Sequence, residues 1–133
     1  MGTRAIAILF HLTMGLALLH ELDAMFRHEW RVLPGLSLLP DDIGRAVFLW
    51  GHLPFYLAFV WLTTHRSARI RHWFAVLFGG FFVIHVGLHW AFSSHPHYEF
   101  HGLSSQALII GAGLFGLPLA ILSYTHLRLV PRC

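Results

Sequence analysis

The chain has 133 residues, a formal net charge of +3, 56% hydrophobic residues and only 11% charged ones, with a mean hydropathy of +0.64. A soluble domain carries about a quarter charged residues, so this composition excludes water as the main solvent, and the length allows one domain over residues 1–133. All nine basic residues are arginines dispersed along the chain, which excludes a nucleic-acid-binding stripe, and the single cysteine, Cys133, excludes an internal disulfide.

A membrane-spanning helix needs about 20 mostly apolar residues. In chain order, the first candidate runs from about 4 to 30 and stops at Leu33-Pro34-Gly35. Its start, Arg4 followed by an apolar run to Leu19, has the form of a signal peptide. No small-residue cleavage site follows, so a retained helix is expected. The second spans about 42–64, after Pro40, where Asp41 or Asp42 can cap exposed backbone amides. The third covers about 68–94, ending at His95-Pro96, and the fourth about 103–127. Pro54 and Pro118 fall inside helices and predict kinks. Gly79-Gly80 and the spacing Ala112, Gly116, Ala120 predict close helix contact. The G-x-G-x-x-G at Gly111, Gly113 and Gly116 lies in an apolar span with no preceding strand, so it is not a dinucleotide fingerprint. The expected fold is an all-α bundle of four transmembrane helices with both termini on one side.

Arginine placement sets the expected orientation. The side with both termini and the second loop holds Arg4, Arg66, Arg69, Arg71, Arg128 and Arg132, against Arg27, Arg31 and Arg45 opposite. The termini are therefore expected in the cytoplasm of a bacterial inner membrane, with the acidic and histidine-rich ends facing the periplasm. Trp30, Trp73, Trp90 and Tyr98 lie near span ends and read as interface anchors. Trp50 and Trp61 read as lipid-facing or core.

Rise per residue converts sequence distance into depth. His20 and Glu21 lie roughly 13–15 Å in from the outer end of the first span, His52 about 15 Å and His85 roughly 13 Å, with Asp23 and His89 at about 7–10 Å. On the fourth span, Gly111 and Gly113 leave room at the same level. His28, Glu29, His95, His97, Glu99 and His101 fall at or outside the interface. His85 and His89, four residues apart, share one helix face. A carboxylate in hydrocarbon costs about 2.5–3.5 kcal/mol on insertion scales, so Glu21 and Asp23 need partners, and Arg27 is four residues beyond Asp23. One divalent transition metal, zinc, iron or copper, held by His20, Glu21, His52, His85 and His89 would satisfy most of these groups together. An open coordination position would carry water with a lowered pKa, for which Glu21 or Asp23 is the expected general base of a hydrolase; iron or copper would suit oxidation instead. Alternatives are a b-type haem subunit, with His52 facing His85 or His20, and a non-catalytic accessory subunit of a larger membrane complex. Beyond the bilayer, the expected partners are other membrane subunits or further copies of the chain. His11 and His126 read as hydrogen-bonded core or interface residues, and His65 and His72 as headgroup neighbours.

The segment H-E-L-D-A (20–24) followed by R-H-E-W (27–30), with H-V-G-L-H (85–89) and H-P-H-Y-E-F (95–100), resembles an uncharacterised bacterial family of small four-helix membrane proteins. The resemblance covers most of the chain and implies the architecture, with no established activity. The H-x-x-x-H element is also similar to that of intramembrane metallohydrolases of the ceramidase and progestin-receptor kind, which have seven spans and additional ligands.

Overall fold

A computed structural model describes residues 2–128; Arg132 and Cys133 lie outside the described residues. The fold is all-α. The helices are α1 (Gly2–Phe26), α2 (Asp41–Thr63), α3 (Ala68–Phe92) and α4 (Leu103–Leu127), with two single 3-10 turns, Glu29–Arg31 and Leu36–Leu38, between α1 and α2. All four helices are long and apolar enough to cross a membrane, as in a multi-pass membrane protein. Apolar side chains line their outer surfaces; Trp50 and Trp61 are among the exposed ones, in keeping with contact to lipid.

The closest helix pair is α3 with α4. At their crossing, a Cβ on Gly116 would sit 2.7 Å from the Gly79 carbonyl oxygen, and one on Gly79 would meet the Gly116 carbonyl oxygen, so only glycine permits this approach. A Cβ on Gly80 would meet nothing within 4 Å, so the second glycine of that pair plays no part in the crossing. On its other face α4 packs against α1, burying Ala17 and Ala112 with Phe82 of α3. Helix α2 contributes only Gly44 and Phe48 to the interior. It is tied to the bundle by its outer end, where Gly44 lies under Trp30.

Three local expectations are corrected. First, α1 ends at Phe26 instead of running to about residue 30. His28 then adopts a left-handed conformation (φ 52°), which turns the chain and folds Glu29 and Trp30 back onto the bundle. Trp30 is consequently 2% exposed and Tyr98 6%, so both are core residues of the outer end and not interface anchors; Trp73 and Trp90 do face outward. Second, Asp41 does not cap α2. Its carboxylate accepts from Trp30 Nε1 (3.0 Å) and from Arg31 Nε and Nη2 (2.7 and 3.0 Å), pinning the start of α2 to the turn after α1. Third, Gly111 and Gly113 leave no free space. A Cβ on Gly113 would lie 2.6 Å from Val86 Cγ2, and one on Gly111 3.2 Å from Leu16 Cδ1. Both glycines admit neighbouring side chains.

Candidate metal centre

At the outer end of the bundle, helical spacing decides which polar groups meet. His85 and His89 are one turn apart on α3, and their rings meet edge to face with centroids 4.6 Å apart. His20 comes from the buried face of α1 and is 1% exposed. The three rings point the same nitrogen at one another: His85 Nε2 lies 2.8 Å from His20 Nε2 and 3.1 Å from His89 Nε2. The fourth member is Glu29, whose Oε1 is 3.6 Å from His89 Nε2. One donor atom from each of His20, Glu29, His85 and His89 falls within 4.8 Å of the others, a group of side chains that could hold a metal ion.

A ring nitrogen carries either a hydrogen or a lone pair, never both. His85 Nε2 therefore cannot donate to one neighbour and accept from the other, and hydrogen bonding alone has to share a single hydrogen or lone pair of His85 between both contacts. Three lone pairs aimed at a common point suit a cation. Donors bound at about 2.0–2.1 Å from an ion stand roughly 3–3.4 Å from one another; the contacts at 2.8, 3.1 and 3.6 Å lie around that range, and the four donors together fall within 4.8 Å. The outer atoms of the site support this arrangement. His89 Nδ1 is 3.2 Å from the buried Tyr98 hydroxyl, a contact that orients the ring and, in the tautomer with Nδ1 donating, leaves Nε2 as acceptor. Tyr98 and the fully buried Phe100 belong to the loop between α3 and α4, which closes over the cluster; the Phe100 carbonyl accepts from Gln106 Nε2 at 2.6 Å. Two further polar atoms of α1, His20 Nδ1 and Asp23 Oδ2, are buried without a protein partner. A cavity of about 40 Å³ lined by Glu29, His85, His89, Tyr98 and Phe100 adjoins the donors, enough for a water-sized molecule.

Glu29 lies beyond the end of α1, outside the spans. Burial, reinforced by the negative charge of Glu21, pushes its carboxyl up to about 7. Tyr98, also outside the spans, has its phenol raised by burial.

Of the residues expected to bind metal, the structure brings His20, His85 and His89 together. It places Glu21 and His52 elsewhere, paired with each other at 2.8 Å (Glu21 Oε2 to His52 Nε2). Glu21 is one residue, hence about 100°, round the helix from His20 and faces α2. His52 shares the level of the cluster, but its Nδ1 donates to the Phe48 carbonyl (2.6 Å) and its other nitrogen meets Glu21. Asp23 pairs with Arg27 at 3.4 Å, as its spacing predicts. Glu29 was the residue the sequence did not single out. Its one signal is a carboxylate set immediately before Trp30, Val32 and Leu33, in a stretch that a helix ending at residue 30 would leave at the surface.

The sequence profile of a family of unknown function, DUF6713, matches residues 6–126. The chain belongs to that family. The match spans all four helices and the whole histidine cluster, in agreement with the resemblance to an uncharacterised family. No curated protein and no solved structure matches this DUF6713 chain.

Proposed function

We propose that this DUF6713 member is a multi-pass membrane protein that binds one transition-metal ion through His20, His85 and His89, with Glu29 as the fourth donor. The observation that carries the reading is the convergence of three Nε2 atoms, with His85 Nε2 at 2.8 and 3.1 Å from the other two, a geometry that hydrogen bonding serves only by sharing one hydrogen or one lone pair between two neighbours. Three imidazoles and a carboxylate suit zinc, iron or copper. The proposal keeps three of the histidines expected from the sequence and supplies the carboxylate from Glu29. Glu21 and His52 are assigned to a different site, and neither Glu21 nor Asp23 is needed as a ligand. The geometry favours an ion over haem: a macrocycle needs a slot between facing imidazoles, whereas these nitrogens are 2.8 and 3.1 Å apart and Val86 and Leu16 close against the glycines of α4. The cavity beside Glu29 gives such an ion room for one small exchangeable ligand, which is where metal-dependent chemistry would begin.

The test is elemental analysis together with a visible spectrum of the detergent-purified protein. About one equivalent of zinc, iron or copper per chain without a Soret band is the expected result. Replacing His85 or His89 by alanine should remove the metal, while His126→Ala should retain it. A metal-free wild type after refilling attempts with all three ions, or equal retention in the three variants, overturns the assignment. In the cell, the bacterial inner membrane with the site toward the periplasm remains the reading that arginine placement supports.

A further inference from the structure

Because α2 buries only Gly44 and Phe48 and otherwise meets α1 and α3 chiefly through the His52–Glu21 pair and the ring of Phe59, a cleft of about 490 Å³ opens between the three helices. That volume falls within the roughly 300–1,000 Å³ typical of small-molecule sites. Its walls are aromatic, with Phe55 and Phe59 from α2 and Phe78, Phe81 and Phe82 from α3, and its polar end is formed by Glu21 and His52. His52 is eleven residues beyond the start of α2, hence about 16 Å from the outer surface and near the middle of a hydrocarbon core of about 30 Å. The two polar side chains are not sealed off, at 28% and 25% exposure. Acyl chains alone filling the cleft would leave their remaining hydrogen-bonding capacity unmet at a depth where water is scarce.

The chemistry of the pair narrows the occupant. His52 Nδ1–H is committed to the Phe48 carbonyl and Nε2 to Glu21 Oε2, which leaves Glu21 Oε1 to accept from an incoming head group. A phosphate or fatty carboxylate would face the Glu21 carboxyl with like charge. A cationic head would carry its desolvation cost to mid-bilayer. An uncharged donor, a hydroxyl, avoids both penalties. From His52 the cleft runs ten residues to Leu62, about 15 Å, which accommodates an extended chain. We propose that this cleft is a binding site for a long-chain lipid with a hydroxyl head, the hydroxyl donating to Glu21 Oε1 while His52 holds the carboxylate, and the chain lying along the phenylalanines. The site is separate from the histidine cluster but shares a wall with it, since Phe81 lines the cleft and stacks on His85 at 5.4 Å between ring centroids.

The probe is a diazirine-bearing hexadecanol photocrosslinked to the full chain in phosphatidylcholine nanodiscs, with the corresponding hexadecanoic acid and phosphatidylcholine probes as comparisons. Peptide mapping should place the alcohol on the α2 and α3 walls of the cleft, saturably and in competition with unlabelled hexadecanol. Ala58→Phe, which fills the cleft from α2, should reduce this labelling at least tenfold with the thermal midpoint unchanged. Glu21→Ala should weaken apparent affinity about tenfold, or about 1.4 kcal/mol, and Glu21→Gln, which keeps an acceptor oxygen, should restore most of it. Labelling that is not saturable, that spreads evenly over the lipid-facing helices, that survives Ala58→Phe, or that is equalled by the fatty-acid or phosphatidylcholine probe overturns the proposal. None of these readouts depends on a metal, so the two sites stand or fall separately.

Discussion

Gly116→Ala and Gly80→Ala form a matched pair in which the same added methyl group should have opposite effects. At Gly116 the new Cβ would stand 2.7 Å from the Gly79 carbonyl oxygen, against about 3.4 Å for ordinary contact, so α3 and α4 must part by roughly 0.7 Å at their crossing. Overpacking of this kind costs about 1–3 kcal/mol. The displacement also travels, because His85 and His89 ride on α3 while α1, carrying His20, is packed on α4. Metal sites tolerate deviations of about 0.2 Å in their donor distances, so ion affinity should fall together with stability. At Gly80 the added Cβ meets nothing within 4 Å, and the gain in helix propensity, about 0.5–1 kcal/mol, should dominate. Thermal unfolding in one mild detergent, followed by circular dichroism, measures both variants. At very roughly 4 °C per kcal/mol for a chain of this size, they should separate by about 6–16 °C. A Gly116→Ala protein that melts with or above Gly80→Ala would refute the account of the crossing.

Chelation provides a second test: at a free metal concentration of about a hundred times Kd, the wild type should gain about 2.7 kcal/mol over its chelated form, and His89→Ala should show no such difference. Trp30→Ala should cost about 3–5 kcal/mol, since it empties a 2%-exposed site, whereas Trp30→Phe should cost about 1 kcal/mol, because Asp41 keeps its two bonds to Arg31; near-equal losses in denaturant titrations would mean that the turn carries no packing role. The pH dependence of the metal-free protein follows from Glu29. Its carboxyl is raised from 4.5 to about 7 in the fold, so its favourable contribution is complete below about 4.5 and is lost as pH rises through 7. Glu29→Gln should flatten that stretch of the stability profile, and an unchanged slope in the variant would assign it to another group.

The spans were legible because hydrocarbon imposes a length and a composition that the sequence displays directly. Depth was legible for the same reason, and it correctly set His20, His85 and His52 at one level. Direction around the helix axis was harder to read. His20 and Glu21 are neighbours in sequence yet face different partners, and His52 shares the depth of the cluster without joining it because its two nitrogens are engaged by Glu21 and the Phe48 carbonyl. Glu29 was hidden by a turn. No glycine marks the end of α1, and the left-handed residue that reverses the chain is His28, a residue type seldom used for that purpose. The spacing of Asp23 and Arg27 and the small residues of α4 each carried a local rule that held in the structure. The return of Glu29 depended on packing among Trp30, Phe48, Tyr98 and Phe100, which are distant in sequence.

The uneven attachment of the helices has a consequence for timescale. The close backbone contact at Gly79 and Gly116, with α1 packed alongside, makes one half of the molecule stiff, and the histidine cluster lies in that half. The other half is a single helix moored at Gly44 and Asp41, touching the rest farther along through His52 and Phe59, with most of its side chains facing outward. An ion bound in the stiff half would have to wait for local unfolding before it left, whereas a molecule bound in the cleft would need only a displacement of α2 at those few contacts. One small protein would thus present a slow compartment and a fast one across the thickness of a phenylalanine ring.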